Sequence, residues 1–256
     1  LLRGHRFQYR YKNTSFRGKR LLGAALSASR RAKSRYNLEL ARASPPCTAL
    51  EESMAGSTSG SNVATEKLGI HEWVKGLAAI PEREFTLANV QNYVLQHSVR
   101  PDSLERYCYF SKGNYTRNLI FKNDVFECMT VCWEIGQHSR VHNHRDQNCW
   151  MSVPIGRLRV QNFRVEHRDP AHGTCDIVPT DIYHMDAAHP AYVNPMEPVH
   201  EVINDAEFKQ RAVSIHVYSK PFDSCEVYVR DKGTYSDVPL FYTSEYGELN
   251  PAEKLL

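Results

Sequence analysis

From Tyr107 onward the chain reads as one short strand after another, and this texture restricts the fold more than any other feature. Segments 118–121, 126–134, 148–155, 158–164, 191–193, 201–204, 211–218 and 226–229 are separated by Gly, Pro, Asp and Asn. Many short strands with turn residues between them predict a closed or two-sheet antiparallel β structure. Pro154 inside one segment calls for an edge or a bulge. Ahead of the strands, Ile70, Trp73, Val74 and Leu77 recur at helical spacing, and Leu87, Val90 and Val94 repeat the signature after Pro81, with Thr86 as N-cap. Two short helices should pack outside the β structure. Residues 168–189 are polar and insertion-like, with strand fragments expected only around 175–178. His167, His172, His184 and His189 read as surface or loop histidines.

A chain of 256 residues, 41% hydrophobic, can bury one substantial core. Its formal charge of +3 misleads, because 12 of the 32 Lys and Arg fall in residues 1–50 beside a single acid, Glu39. The rest is mildly acidic. Residues 1–60 have no sustained apolar period and are biased to Ser, Arg and Gly, so they are read as a disordered or non-native basic extension ahead of one domain over 61–256. Arg-rich, acid-poor stretches also occur as nucleic-acid arms and mitochondrial presequences. Here the chain opens with Leu1, the first methionine is Met54, and a run of small residues, 55–61, follows. Residues 1–53 are therefore read as translated upstream sequence or a disordered extension, with Met54 as the start and no nucleic-acid partner. No stretch approaches the roughly 20 apolar residues of a membrane span, so no membrane partner is expected. Seven cysteines without regular spacing, Cys47 among them, point to reduced thiols and a cytoplasmic protein, expected to be a monomer. Cys128 and Cys132 read as small buried strand residues.

Chemistry concentrates in Gly136-Gln137-His138-Ser139-Arg140-Val141-His142-Asn143-His144, followed by Cys149 and Gly156. A lone His-x-His pair is usually two solvated imidazoles. If 141–144 is extended, however, the period of two puts His142 and His144 on one face, where both rings can reach one metal ion. A third ligand must come from elsewhere, and the run from Val193 to Asn204 supplies His200.

Together these stretches resemble the paired motifs of the cupin superfamily: glycine, His-x-His, a usually acidic position and glycine, then a distant histidine and asparagine. Cys149 stands at the acidic position, which narrows the resemblance to the cysteine dioxygenases. Three more blocks carry the likeness: Tyr115-Thr116-Arg117-Asn118-Leu119; Cys132-Trp133; and Val213-Ser214-Ile215-His216-Val217-Tyr218-Ser219-Lys220-Pro221-Phe222-Asp223-Ser224-Cys225. It extends from about residue 66 to about 251. The resemblance implies a mainly β fold, a cupin-type jelly-roll barrel with the short N-terminal helices packed outside it.

It also implies Fe(II) held by His142, His144 and His200, with L-cysteine and O2 as reactants. The product would be cysteine sulfinic acid, the first step of cysteine catabolism toward taurine and sulfate. Arg117 matches the arginine that pairs with the substrate carboxylate, whose planar fork suits a bidentate grip, and Tyr115 is assigned to the pocket wall. Cys149 and Tyr218 match a pair joined by a thioether cross-link, and His216 matches a histidine that hydrogen-bonds the tyrosine. Ser214 shares their strand face, Trp133 resembles a tryptophan packed near the site, and Cys225 is read as a thiol at the pocket entrance. Asn143, Asn148, Trp150 and Pro198 depart from the usual residues of the family without removing a ligand.

Two other readings compete. One is dioxygenation of a different small thiol such as 3-mercaptopropionate, whose dedicated enzymes lack the carboxylate-binding arginine; Arg117 argues against it. The other is a metal-binding cupin without activity, against which His142, His144, His200, Arg117, Cys149 and Tyr218 speak jointly.

Overall fold

The computed structural model describes residues 66–193 and 198–251, all within a unit spanning Asn62–Leu256. The expected extension over 1–60, Cys47 and residues 194–197 lie outside the described residues. Helices α1 (Ile70–Ala78) and α2 (Leu87–Gln96) come first, with the predicted Ile70, Trp73, Val74, Leu77, Val90 and Val94 buried. Thr86 caps α2, its hydroxyl accepting the Asn89 N–H at 3.3 Å, a contact worth about 1 kcal/mol. No helix among the described residues is long and apolar enough to cross a membrane.

Strands β1 (Glu66–Leu68) and β2 (His97–Val99) pair in parallel beside the helices. The remaining strands form two larger layers. A seven-stranded sheet contains β3 (Thr116–Lys122), β4 (Phe126–Trp133), β6 (Cys149–Ile155), β9 (Ala191–Tyr192), β11 (Ala212–Ser219), β14 (Ser244–Glu245) and β15 (Glu248–Leu249), in the order β15-β14-β3-β4-β11-β6-β9. A closed barrel links β5 (Val141–His142), β7 (Leu158–Asp169), β8 (Thr174–Met185), β10 (Val199–Ile203), β12 (Ser224–Val229) and β13 (Thr234–Pro239), in the order β10-β5-β12-β13-β8-β7.

Alternation in β4 and β11 accounts for this layering. All eight residues of β4 are buried, because the sheet is covered on both faces. Phe126, Cys128 and Cys132 join Val213, Ile215 and Val217 of β11 against the two helices. Met129, Val131 and Trp133 face the other way, with Ala212 and Tyr218, and share a core with Leu158, Val160 and Val202 of the barrel strands. Cys128 and Cys132 are thus buried strand residues, as expected. One tryptophan is instructive. Trp150 lies between inward-facing Cys149 and Met151, so it points outward, packs on Phe85 and donates its indole N–H to the Leu87 carbonyl at 3.1 Å.

Three expectations need correction. Residues 168–189 are not an insertion with fragments of strand: they span the tip and second strand of a long β7–β8 hairpin, paired from Leu158↔Met185 to Asp169↔Thr174. Polar side chains hid it because much of this hairpin faces solvent. Its histidines are peripheral, as predicted; His172 pairs with Asp169 at 2.6 Å and His189 with Asp186 at 2.7 Å. Strands β13, β14 and β15 continue the β structure beyond residue 229, where none was expected. Finally, β5 ends at His142 rather than continuing to His144.

Pro154 sits where the edge argument requires. Strand β9 covers only Trp150 and Met151, leaving Pro154 without a partner on that side, and the β6–β11 register shifts between Val213 and Ile215. Gly156 ends β6 at φ +81°, and a Cβ there would come within 2.5 Å of the Arg211 carbonyl oxygen. Gly156→Ala should therefore cost at least about 2 kcal/mol and lower Tm by roughly 4–8 °C in a chain of this size. An unchanged melting curve would show that the β10–β11 connection yields freely.

Candidate metal centre and its cavity

Backbone pairing brings two of the predicted ligands together before any side chain is considered. Strand β5 lies between β10 and β12, so His142 is directly opposite His200 on one side and Val227 on the other. His144 follows in a turn closed by the Gln147 N–H on its carbonyl at 2.9 Å, with Arg145 and Asp146 at φ 52° and 63°. The extended period of two therefore does not run through His144, yet its ring still joins the others. Ring centroids are 4.8 Å apart for His142–His200 and His144–His200 and 5.1 Å for His142–His144. One nitrogen from each ring lies within 4.8 Å of the others.

The donor set fits a metal ion. His142 Nδ1 contacts the Arg140 carbonyl at 2.8 Å, which makes Nδ1–H the donor and leaves Nε2 with a free lone pair. His144 and His200 are 2% and 1% exposed, and neither ring nitrogen of either one has a hydrogen-bond partner among the described residues. Buried imidazoles normally find partners, since leaving polar groups unpaired costs about 1–3 kcal/mol each. A shared cation would satisfy one nitrogen on each ring. Burial keeps the rings unprotonated, as ligands must be: the pKa of His142 falls to about 4, and those of His144 and His200 fall well below the usual value through burial and their mutual proximity.

His142 and His144 line a cavity of about 380 Å³, and His200 packs against both of them with ring centroids 4.8 Å away. Arg117 and Tyr115 line it, as does Trp133, which stacks on Tyr115 with centroids 4.6 Å apart. Arg117 donates to the Phe241 carbonyl at 3.4 Å and lies 5.3 Å over the Tyr242 ring, which orients its guanidinium without pairing it to a carboxylate. The predicted polar line on β11 is continuous. Trp133 Nε1–H donates to Ser214 Oγ at 3.0 Å, Ser214 Oγ is 2.9 Å from His216 Nε2, and His216 Nδ1 is 3.1 Å from the Tyr218 hydroxyl.

Direction matters in this line. An indole can only donate, so the Ser214 hydroxyl turns its own hydrogen elsewhere, and His216 Nε2 at 2.9 Å is nearer than the Val131 carbonyl at 3.5 Å. With Nε2 accepting, His216 Nδ1–H donates to Tyr218, whose own proton is left for the cavity or for Cys149 Sγ. Burial raises the Tyr218 pKa well above 10, so the phenol stays protonated at neutral pH. Cys149 is wholly buried, and its Cα is the register partner of Tyr218 between β6 and β11. Burial also raises its thiol pKa, against the opposing hydrogen bond with Tyr218.

Several lining residues escaped the sequence reading. Arg140 and His138 line the rim, as do Leu240 and Phe241 just after β13, a strand that was not expected. Phe241, 75% exposed, is a large apolar side chain left open at this mouth. Cys225 lines the cavity as read, and Phe222 places its ring 5.0 Å from that of Tyr218. Length alone could have hinted at a further strand after Val229; side-chain pattern could not, since none of residues 234–239 is buried.

A mainly β protein with a closed barrel and a buried cluster of three histidines suited to a metal ion is the class that fold and site define. Residues 58–231 match the family model described as Cysteine dioxygenase type I. Cysteine dioxygenase type 1 of Danio rerio is 31% identical over 165 residues, covering 64% of this chain and 80% of that protein. The Rattus norvegicus protein of the same name is 28% identical over 169 residues, covering 66% of this chain and 82% of its own. Among solved structures, a Klebsiella pneumoniae protein with a double-stranded β-helix domain aligns at TM-score 0.37 and 14% identity, covering 54% of this chain and 88% of that one. A TM-score this low carries no argument. The chain belongs to the cysteine dioxygenase type I family and is a dioxygenase.

Proposed function

We propose that this enzyme converts L-cysteine and O2 to cysteine sulfinic acid at an Fe(II) ion held by His142, His144 and His200. The observation that carries the reading is the cluster of His142, His144 and His200, with the buried nitrogens of His144 and His200 unpartnered among the described residues, beside a cavity that His142 and His144 line together with Arg117 and Tyr218. In the net reaction R–SH and O2 give R–SO2H: the sulfur loses four electrons, dioxygen gains four, and both oxygen atoms end on sulfur. Bound iron supplies the redox chemistry that lets a thiol and dioxygen react; three neutral ligands leave its full charge for an anionic thiolate.

The protein's own groups do the rest. Arg117 grips the substrate carboxylate, and Tyr115 with Trp133 forms a stacked wall that limits how the amino acid can turn. Positioning of this kind removes the entropic cost of bringing the sulfur to its reaction geometry. Tyr218, its own proton left free by the line through His216 and Ser214, donates a hydrogen bond to the oxygen-rich reacting groups without reorienting. The register of Cys149 against Tyr218 supports a thioether between cysteine sulfur and phenol ring, which would fix that hydroxyl in place.

Oxygen uptake by the iron-loaded enzyme tests the substrate assignment. Turnover with L-cysteine should exceed that with 3-mercaptopropionate by at least about tenfold, because one interaction with the amino acid worth about 1.4 kcal/mol suffices for that ratio. Equal or faster use of 3-mercaptopropionate would overturn it. A sample fully loaded with ferrous iron that leaves cysteine untouched in air would overturn the dioxygenase reading altogether.

A further inference from the structure

Behind the histidines, on the side away from the cavity, lies a carboxylate that no sequence motif singles out. Glu226, on β12, is 8% exposed and accepts from four donors. Asn143 Nδ2 donates to it at 2.7 Å, the Tyr228 hydroxyl at 3.0 Å, and Arg168 donates through both terminal nitrogens, one of them at 3.1 Å. Arg168 sits at the far end of β7 and is itself fixed with its guanidinium 4.2 Å over the Tyr235 ring. The backbones of Asn143 and Glu226 are also joined, with the Asn143 N–H on the Glu226 carbonyl at 3.1 Å and the Glu226 N–H on Asn143 Oδ1 at 3.2 Å.

We propose that Glu226, charge-paired with Arg168, is a positioning residue for the metal centre: it holds Asn143, and through it the turn that sets His144 beside His142. This rests on the three-histidine metal reading above. Asn143 is the residue between the two ligands, and the β5 pairing that places His142 stops one position before it. Asn143 makes the last rung, its N–H on the Glu226 carbonyl, and beyond His144 the chain turns with positive φ at Arg145 and Asp146, so the side-chain contacts of Asn143 tie down the point where the ladder ends.

The chemistry of Asn143 is specific to this neighbour. Its amide donates to Glu226 through Nδ2 and accepts from the Glu226 backbone through Oδ1 at once, which no other side chain of that length can do. An aspartate at 143 would set two carboxylates at hydrogen-bond distance with no proton between them. Supporting groups of this kind usually contribute a factor of 10–100 to metal affinity.

Titration of the metal-stripped full chain with Co(II), read by its visible absorption, tests the assignment. Asn143→Asp and Glu226→Gln should each weaken Co(II) binding roughly 10- to 100-fold. The double variant Asn143→Asp/Glu226→Gln reverses the direction of the 143–226 hydrogen bond, keeps the total charge and leaves one oxygen of residue 226 to accept from Arg168, and it should bind within about threefold of wild type, a coupling well beyond additivity. A defect unrelated to the 143–226 contact would not be rescued by a second substitution within that pair. Should Asn143→Asp fail to fold, Tyr228→Phe removes one donor and should weaken Co(II) binding by roughly 2- to 10-fold. Wild-type affinity in the single variants, or additive losses in the double, would overturn the clamp while His142→Ala still abolished binding. Undiminished Co(II) binding by His142→Ala would instead overturn the metal reading on which the clamp rests.

Discussion

His200→Ala should lose both iron and activity, with iron occupancy of the purified protein below about a tenth of wild type and cysteine oxidation down by more than about a hundredfold. Removal of a direct ligand should exceed the 10- to 100-fold cost of disturbing a supporting contact. The residue is buried, opposes His142 across β10 and β5, and has no other partner for either ring nitrogen among the described residues. Nothing else in the fold gives it a reason to be a histidine. His142→Ala and His144→Ala should behave alike, and metal analysis with oxygen uptake reads all three. Normal iron occupancy in any one of them would remove that residue from the ligand set.

Arg117→Ala should leave iron in place and lower kcat/KM for L-cysteine by roughly 30- to 1,000-fold, the loss expected when one partner of a desolvated charge pair is deleted. Most of the change should appear as a raised KM, since the same grip is made before and during reaction. Cysteamine, which has the thiol and amine but no carboxylate, provides the internal control: its turnover should change by less than about threefold. Arg117→Lys should recover only part of the loss, because an ammonium cannot offer two parallel donors. An unchanged half-saturation for cysteine in Arg117→Ala would assign the carboxylate to another group, with Arg140 at the cavity rim the nearest candidate in kind.

Residues 142 and 144 were legible because imidazole spacing survives as a local pattern, and His200 because its run resembles the distant half of the cupin pattern. The line on β11 was legible for a similar reason. Ser214, His216 and Tyr218 alternate, so an extended backbone puts all three on one face whatever the rest of the fold does. Even so, the pattern misjudged its own geometry at His144. The strand stops at His142, and the ring arrives by a turn instead.

The β7–β8 hairpin and β13 were lost because exposed strands carry no apolar alternation to announce them. The Asn143–Glu226–Arg168 clamp was lost for a different reason. Its members are 83 and 58 residues apart in sequence and meet only because β12 pairs with β5 and the hairpin returns to the same end of the barrel. By itself, then, the sequence determined which side chains are candidates for the chemistry and which of them share a strand face, since periodicity is a property of a few adjacent residues. Tertiary structure alone decided which strands are neighbours, and so which acid meets which amide behind the metal, because long-range pairing depends on the closure of the whole barrel and leaves no mark in any short stretch.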